Sequence, residues 1–125
     1  MTRDIVKTET APTSPFYSQA VRAAGLIFVS GQVGQDPTTG KLAGTTVREQ
    51  TRQCLMNVKA ILEAAGSSME KIVSATFILR NPQDFDDMNA EWDSWFHEGP
   101  PARQGASLPV EVDGLLVSIA AIAQE

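Results

Sequence analysis

A chain of 125 residues, 42% of them hydrophobic and 20% charged, is long enough to bury a core without disulfides, and we expect one globular domain over residues 1–125. Its net charge is −5 and its lysines and arginines are dispersed without a basic run, so we expect no nucleic-acid partner. The single cysteine excludes an internal disulfide, and neither a membrane-length apolar stretch nor a secretory signal is visible. These features predict a cytoplasmic protein without a membrane partner.

The first pattern along the chain is that of a β-hairpin. The β-rich run Leu26–Val29 follows a turn signal at Ala24-Gly25. The run gives way to Ser30-Gly31, where a glycine would let a ligand approach the backbone N–H groups. Residues 36–42 then read as a loop because they contain Pro, Thr and Gly.

The next pattern predicts a long amphipathic helix. Thr46 and Glu49 fit a capping box, and apolar residues follow at three- and four-residue steps for about five turns. Gly66 is placed to end the helix in a left-handed conformation. Cys54 falls on the apolar stripe, so we expect it to be a small core residue and not a nucleophile.

The second half of the chain predicts three strands and one further helix. Residues 71–80 form a β-branched, apolar run typical of a central strand. Asn81-Pro82 is typical of a helix start, and this second amphipathic helix ends at residues 99–101. We predict a short strand at 103–108 and a buried final strand at 114–123.

The order of these elements favours an α+β fold in which two helices pack on one face of a mixed sheet. The strands carry apolar residues on both sides, so the second face must also be covered. Because no segment is left to cover it, we expect a partner subunit there.

The residues that carry chemistry are few. One histidine and one cysteine do not suffice for a zinc site, so we expect no metal, and no glycine-rich phosphate loop is present. His97 lies at the end of the second helix, where we expect its ring to meet the last carbonyls. Three features remain, namely Tyr17, Ser30-Gly31 and Arg103, although each also has an ordinary structural explanation.

Arg103 stands in "GPPARQGASLP" (residues 99–109), a stretch with no other charge. A guanidinium is always ionised and has five N–H donors to satisfy. The nearest acidic residues in the sequence are Glu98 and Glu111. Arg103 is therefore a candidate for binding an anion that the chain itself does not supply.

Four stretches together resemble the Rid family, also called the YjgF family: "FYSQAVRAAGLIFVSGQVGQDPTTGKL", "REQTRQCLMNVKAILEAAGSSMEKIV", "DFDDMNAEWDSWF" and "PPAR". The resemblance runs over about residues 5–123. It implies a chorismate-mutase-like (ferredoxin-like) α+β fold, assembled as a homotrimer with a cleft between adjacent subunits. The best-known members hydrolyse 2-imino acids and their 2-enamino tautomers to 2-keto acids and ammonia without a cofactor.

The resemblance also implies roles for individual residues. Arg103 matches the arginine that grips the substrate carboxylate, and Tyr17 matches a tyrosine that enters the cleft from the neighbouring subunit. Ser30 and Gly31 match a pair that lines the cleft and orients the imine end. Asn89 matches an asparagine near the same cleft.

Departures from the family pattern accompany these matches. Ala120 is assigned to the place where deaminating members carry a proton-transferring glutamate on the final strand. Ser118 lies two residues earlier, on the same strand face, where its hydroxyl would hold a water, and Glu111 is a second candidate substitute. Gly105 replaces a larger residue after the arginine, and Pro15-Phe16 replaces Gly-Pro before the tyrosine.

The resemblance therefore leaves several functions open. The first is a deaminase of small 2-imino acids. The second is a trimeric module that binds small carboxylate metabolites without catalysis. The third is a hydrolase for a bulkier enamine or imine, for which Ala120 and Gly105 make room. A ribonuclease role, reported for some relatives, is disfavoured by the acidic composition.

Overall fold

The computed structural model describes residues 2–125, which form a six-stranded sheet and two α-helices. The strands and helices are, in chain order, β1 (Asp4–Val6), β2 (Ala20–Ala23), β3 (Leu26–Val33), α1 (Val47–Ala64), β4 (Ile72–Leu79), α2 (Phe85–Phe96), β5 (Ala102–Ser107) and β6 (Val117–Gln124). The sheet order is β1-β2-β3-β6-β4-β5, and only β4 and β5 are parallel neighbours. The predicted α+β class with a mixed sheet is confirmed.

The helices cover one face of this sheet. α1 packs against β3, β6 and α2. Side chains of β6 alternate strictly: Val117, Ile119, Ala121 and Ala123 are buried toward the helices, whereas Ser118, Ala120 and Ile122 are half-buried on the other face. That other face also carries Phe28, whose side chain is 40% exposed.

Both ends of α1 follow the sequence signals. The Thr46 side chain accepts a hydrogen bond from the Glu49 backbone, and the Glu49 carboxylate accepts one from Thr46 in return. At the other end Gly66 has φ +83°, and the N–H groups of Gly66 and Ser67 donate to Glu63 and Leu62. This is the Schellman arrangement, in which a residue of positive φ ends the helix. 

Cys54 is fully buried on α1, as expected of a core residue. Its Sγ lies 3.7 Å from the carbonyl oxygen of Val117, and burial raises the pKa of the thiol well above its ordinary value. The thiolate that nucleophilic chemistry requires is therefore disfavoured.

Four details of the secondary structure differ from the sequence predictions. β1 was not predicted, because three residues give too short a pattern. β3 does not end at Ser30-Gly31 but continues through a bulge to Val33. The turn before α2, Pro82–Asp84, is a 3₁₀ helix that Asn81 does not cap with its side chain. β6 begins at Val117 and not at Gly114, which has φ +77° and lies in a turn.

A buried carboxylate links the two helices. Glu91 of α2 is 4% exposed, and it accepts hydrogen bonds from Arg52 of α1 at 3.2 and 3.4 Å and from the Trp95 indole at 3.0 Å. Burial opposes ionisation of Glu91, but the hydrogen bonds from Arg52 and Trp95 outweigh it and hold the pKa of the carboxyl below its ordinary value.

Replacing Glu91 by glutamine is expected to lower the free energy of unfolding at pH 7 by about 2 kcal/mol, the scale of lost charge-assisted hydrogen bonds. Because the pKa is lower in the folded state, this stabilisation is present above the unfolded-state pKa and is lost as the pH falls through the folded-state pKa. Urea unfolding of both proteins between pH 7 and pH 3 measures this contribution to the free energy of unfolding. The difference in the free energy of unfolding between wild type and Glu91→Gln should begin to shrink below about pH 4, near the pKa of an unfolded glutamate. A difference independent of pH would contradict the assignment. Glu63→Gln, at an exposed site on α1, is the control.

Candidate functional site

Arg103 lies on the edge strand β5 and points toward the helices. Its Cα is in register with Ala75 of β4, which is in register with Ala121 of β6. Both alanines are buried on the helix-covered face. Residues in one row across a sheet point to the same side, so Arg103 lies between the sheet edge and α2.

Three aromatic rings and one amide surround the Arg103 guanidinium. Its Cζ lies 4.8 Å from the ring centre of Phe77, 5.0 Å from that of Trp92 and 5.7 Å from that of Phe85. Nη1 donates a 2.8 Å hydrogen bond to Oδ1 of Asn89. Phe85, Asn89 and Trp92 follow one another at four- and three-residue steps on α2, which places them on one face of that helix.

This environment holds a cation without neutralising it. Among residues 2–125 no carboxylate oxygen lies within 4.0 Å of a guanidinium nitrogen of Arg103. Partial burial lowers the pKa of Arg103, but an arginine remains charged at any physiological pH. The ring faces favour the cation, and the donors that do not reach Asn89 are free to bind an anion. A cavity of about 460 Å³ adjoins the side chain, lined also by Asn89, Trp92 and His97.

Gly105, two residues beyond Arg103, does not leave open space. A Cβ atom at Gly105 would lie 2.1 Å from the Phe77 ring, because that ring covers the glycine. The expectation that Gly105 makes room for a bulkier substrate is therefore wrong: Phe77 occupies the room. Ala120 does leave space, since a cavity of about 170 Å³ lies over it on the other face of the sheet.

A second cluster of candidate residues lies on that other face. Ser30 and Gly31 form a bulge in β3, in which both residues oppose the single residue Ala120 of β6. A Cβ atom at Gly31 would lie 2.9 Å from the Ser118 hydroxyl. Ser118, and not Ala120, is thus the β6 side chain directly against Gly31.

The segment that carries Tyr17 is linked to the second cluster through the residues that follow it. The Ser30 hydroxyl donates a 2.6 Å hydrogen bond to the carbonyl of Ser18, and the Ser30 N–H donates to the carbonyl of Gln19. The buried Gln19 side chain in turn donates to three carbonyls of residues 8–12 and fixes the segment that leads to Tyr17. Tyr17 itself is 56% exposed.

The two clusters do not meet within one chain. Gln104, Thr76 and Ala120 form one row across the sheet, and the Gln104 amide donates to the Thr76 hydroxyl on the outer face. Arg103 precedes Gln104 and points to the opposite face. Because β4 lies between β5 and β6, the backbones of β5 and β6 are about 10 Å apart. The structure therefore brings Arg103 to Asn89 on one face, and Ser30, Gly31, Ser118 and Ala120 to one another on the other face. Tyr17 is linked to this second group through the backbone of Ser18 and Gln19.

Two other candidates, His97 and Glu111, belong to neither cluster, although His97 lines the cavity beside Arg103. His97 is the C-cap residue of α2, as its sequence position predicts, but among residues 2–125 its ring donates to no helix carbonyl, and its Nε2 lies 3.9 Å from a Glu98 oxygen. Glu111 is 93% exposed and pairs with Arg80 at 3.8 Å. In the described part of the chain, no three His, Cys, Asp or Glu side chains come together as a metal-binding group, and neither helix is long and apolar enough to cross a bilayer.

The sequence does not predict that aromatic rings surround Arg103. Phe85 and Trp92 fit the apolar face of an amphipathic helix, and Phe77 lies within the apolar strand pattern of residues 71–80. Their spacing to Asn89 on α2 was visible, but the parallel pairing of β4 and β5 that brings Arg103 against them was not.

Comparison with known proteins adds to this geometry. The family model described as Endoribonuclease L-PSP matches residues 8–125. The 2-iminobutanoate/2-iminopropanoate deaminase of Bos taurus is 38% identical to the chain, covering 94% of the chain and 91% of that protein. The crystal structure of RidA from the Antarctic bacterium Psychrobacter sp. is similar with a TM-score of 0.90 at 32% identity, covering 98% and 99% of the two chains. E. coli TdcF, solved with bound serine, gives 0.88 at 31% identity, covering 98% of each.

Proposed function

This chain belongs to the endoribonuclease L-PSP family, also called the Rid or YjgF family, and we propose that it hydrolyses small 2-imino acids and their 2-enamino tautomers to 2-keto acids and ammonia. The observation that carries the proposal is Arg103, an unpaired cation held by Asn89 and three aromatic rings. A fork of N–H donors binds a carboxylate through two parallel hydrogen bonds. The bovine relative's name supplies the substrate class.

The reaction needs only water as a second reactant. The water oxygen bonds to the carbon of the C=N group, and the imine nitrogen takes up a proton. The remaining O–H proton of the carbinolamine then passes to its nitrogen as the C–N bond breaks, which releases ammonia and forms the ketone. Binding the substrate carboxylate fixes the position of this carbon relative to the water.

The second cluster supplies the groups for the imine end. The Ser30 N–H of the bulge already donates to the carbonyl of Gln19, so the N–H group for the imine end would come from Gly31. The Ser118 hydroxyl faces Gly31, where it would hold the water. Serine is a poor base, so this site would accelerate hydrolysis chiefly by positioning. Tyr17 would close the site over the ligand.

Arg103 and the second cluster lie on opposite faces of the sheet, so we place the complete site between adjacent copies of a homotrimer. One copy would supply Arg103 and Asn89, and its neighbour Tyr17, Ser30, Gly31 and Ser118. The half-buried outer face, with Phe28 and Ile122, would be covered in that assembly. A contact in which one surface of a chain fits a different surface of its copy forms a closed ring when its rotation closes.

The test uses 2-iminopropanoate generated in situ by an amino-acid oxidase, with semicarbazide trapping the free imine. We expect the protein to divert imine from the trap to pyruvate, and co-expressed Arg103→Ala and Gly31→Val chains to regain about a quarter of wild-type activity, since a random mixture pairs two intact halves at that frequency. If as much semicarbazone forms with the protein as in buffer alone, the deaminase proposal is wrong. Activity in neither variant and none in the mixture would place the site within one copy.

A second function, binding a carboxylate metabolite without catalysis, is favoured by one observation. None of the five residues of the second cluster carries a carboxylate or an imidazole. Titration calorimetry with pyruvate distinguishes this function: binding that Arg103→Ala abolishes, together with no diversion of the imine, assigns a binding module.

A further inference from the structure

Phe77 and Gly105 form an interlocked pair beside Arg103. They lie in register on β4 and β5 and face the helices. The nearest atoms to a Cβ at Gly105 are three ring carbons of Phe77, at 2.1, 2.4 and 2.5 Å. The ring can lie there only because residue 105 has no side chain, and in this position its centre is 4.8 Å from the Arg103 Cζ.

A separate apolar cavity lies on the far side of the same ring. It has a volume of about 320 Å³ and is lined by Phe77, Leu79, Pro82, Phe85, Ala106 and Ser107. Arg103, Gly105 and Ser107 follow one another on the inward face of β5, so the ring over Gly105 stands between the guanidinium and this cavity. Arg103 lines the 460 Å³ cavity and not this one.

We infer that Phe77 determines specificity by limiting the length of the acid that Arg103 binds. The inference rests on the carboxylate site proposed at Arg103 and narrows its substrates to acids with short side chains. An acid with its carboxylate on Arg103 and a side chain directed along β5 meets the Phe77 ring after a few atoms. With the ring absent, the same side chain would continue into the apolar cavity.

The decisive measurement is the ratio of two dissociation constants. Calorimetry of wild type and Phe77→Ala with pyruvate and with phenylpyruvate gives this ratio in each protein. We expect wild type to prefer pyruvate and Phe77→Ala to shift the ratio at least tenfold toward phenylpyruvate, the scale of one or two methylene groups admitted to an apolar pocket. Loss of ring stacking on Arg103 weakens the binding of both acids by the same factor, so this effect cancels in the ratio.

Phe85→Ala is the matched control. It removes a ring that also stacks on Arg103 and also lines the cavity, but it leaves Gly105 covered by Phe77. We expect weaker binding of both acids with an unchanged ratio. An equal shift in Phe85→Ala, or none in Phe77→Ala, overturns the inference while leaving the carboxylate site standing. Failure of wild type to bind either acid overturns the carboxylate site and the inference together.

A stability cycle tests the position of the ring without any ligand. Gly105→Ala is expected to lower the melting temperature of wild type, because its Cβ meets the Phe77 ring, and to have no such effect in Phe77→Ala. An equal effect in both backgrounds would show that the ring does not cover Gly105, and would overturn the inference.

Discussion

Arg103→Lys is expected to weaken pyruvate binding about 100-fold and to lower imine turnover by at least as much. An ammonium keeps the charge but loses the planar fork, the stacking on Phe77, Phe85 and Trp92, and the hydrogen bond to Asn89. Each charge-assisted hydrogen bond contributes roughly 1.5–3 kcal/mol, so losing one of two accounts for this factor. Calorimetry and the imine-trapping assay measure the two effects.

Arg80→Lys is the control for this result. Arg80 follows β4, pairs with Glu111 and donates to the carbonyl of Val112, away from both clusters. We expect its replacement to leave binding and turnover within about twofold of wild type, the range of exposed ion pairs. Pyruvate binding by Arg103→Lys at wild-type affinity would contradict the role of the guanidinium as a two-pronged carboxylate anchor.

Ser118→Glu is expected to raise imine turnover by about 100-fold or more. A positioned general base contributes typically ~10²–10⁴-fold, and the second cluster has none. The Ser118 side chain lies directly against Gly31, so a carboxylate there would reach a water held beside the Gly31 backbone. The imine-trapping assay measures the gain, with the oligomeric state of each variant followed by light scattering.

Ala120→Glu tests whether the family resemblance or the geometry of the bulge gives the better position for a general base. Ala120 is the position that the family pattern assigns to the glutamate, whereas the bulge places Ser118 closer to Gly31. We expect the larger gain at position 118. The gain must vanish when Arg103→Ala is added, because the new base serves a substrate held by the guanidinium; a gain that survives this addition would point to catalysis outside the proposed site.

Local sequence patterns predicted the parts of the fold that depend on contacts between residues close together in the chain. The capping box at Thr46 and Glu49, the left-handed Gly66 and the hairpin turn at Ala24-Gly25 involve residues a few positions apart, and all three were predicted. β1 was not, because its three residues become a strand through pairing with β2, sixteen residues away. Short segments of this kind depend on tertiary pairing and not on their own propensity.

The sequence by itself determined the family, the mixed sheet with two helices and the isolated cation at Arg103, because each follows from motifs or from charge spacing along the chain. Only the tertiary structure decided what surrounds that cation. The parallel register of β4 and β5 places Arg103 beside Phe77, and Phe77 over Gly105. Register also set Arg103 and Ser118 on opposite faces, since neighbouring residues in a strand alternate sides. A pairing between strands about thirty residues apart fixes this, and no local pattern encodes it.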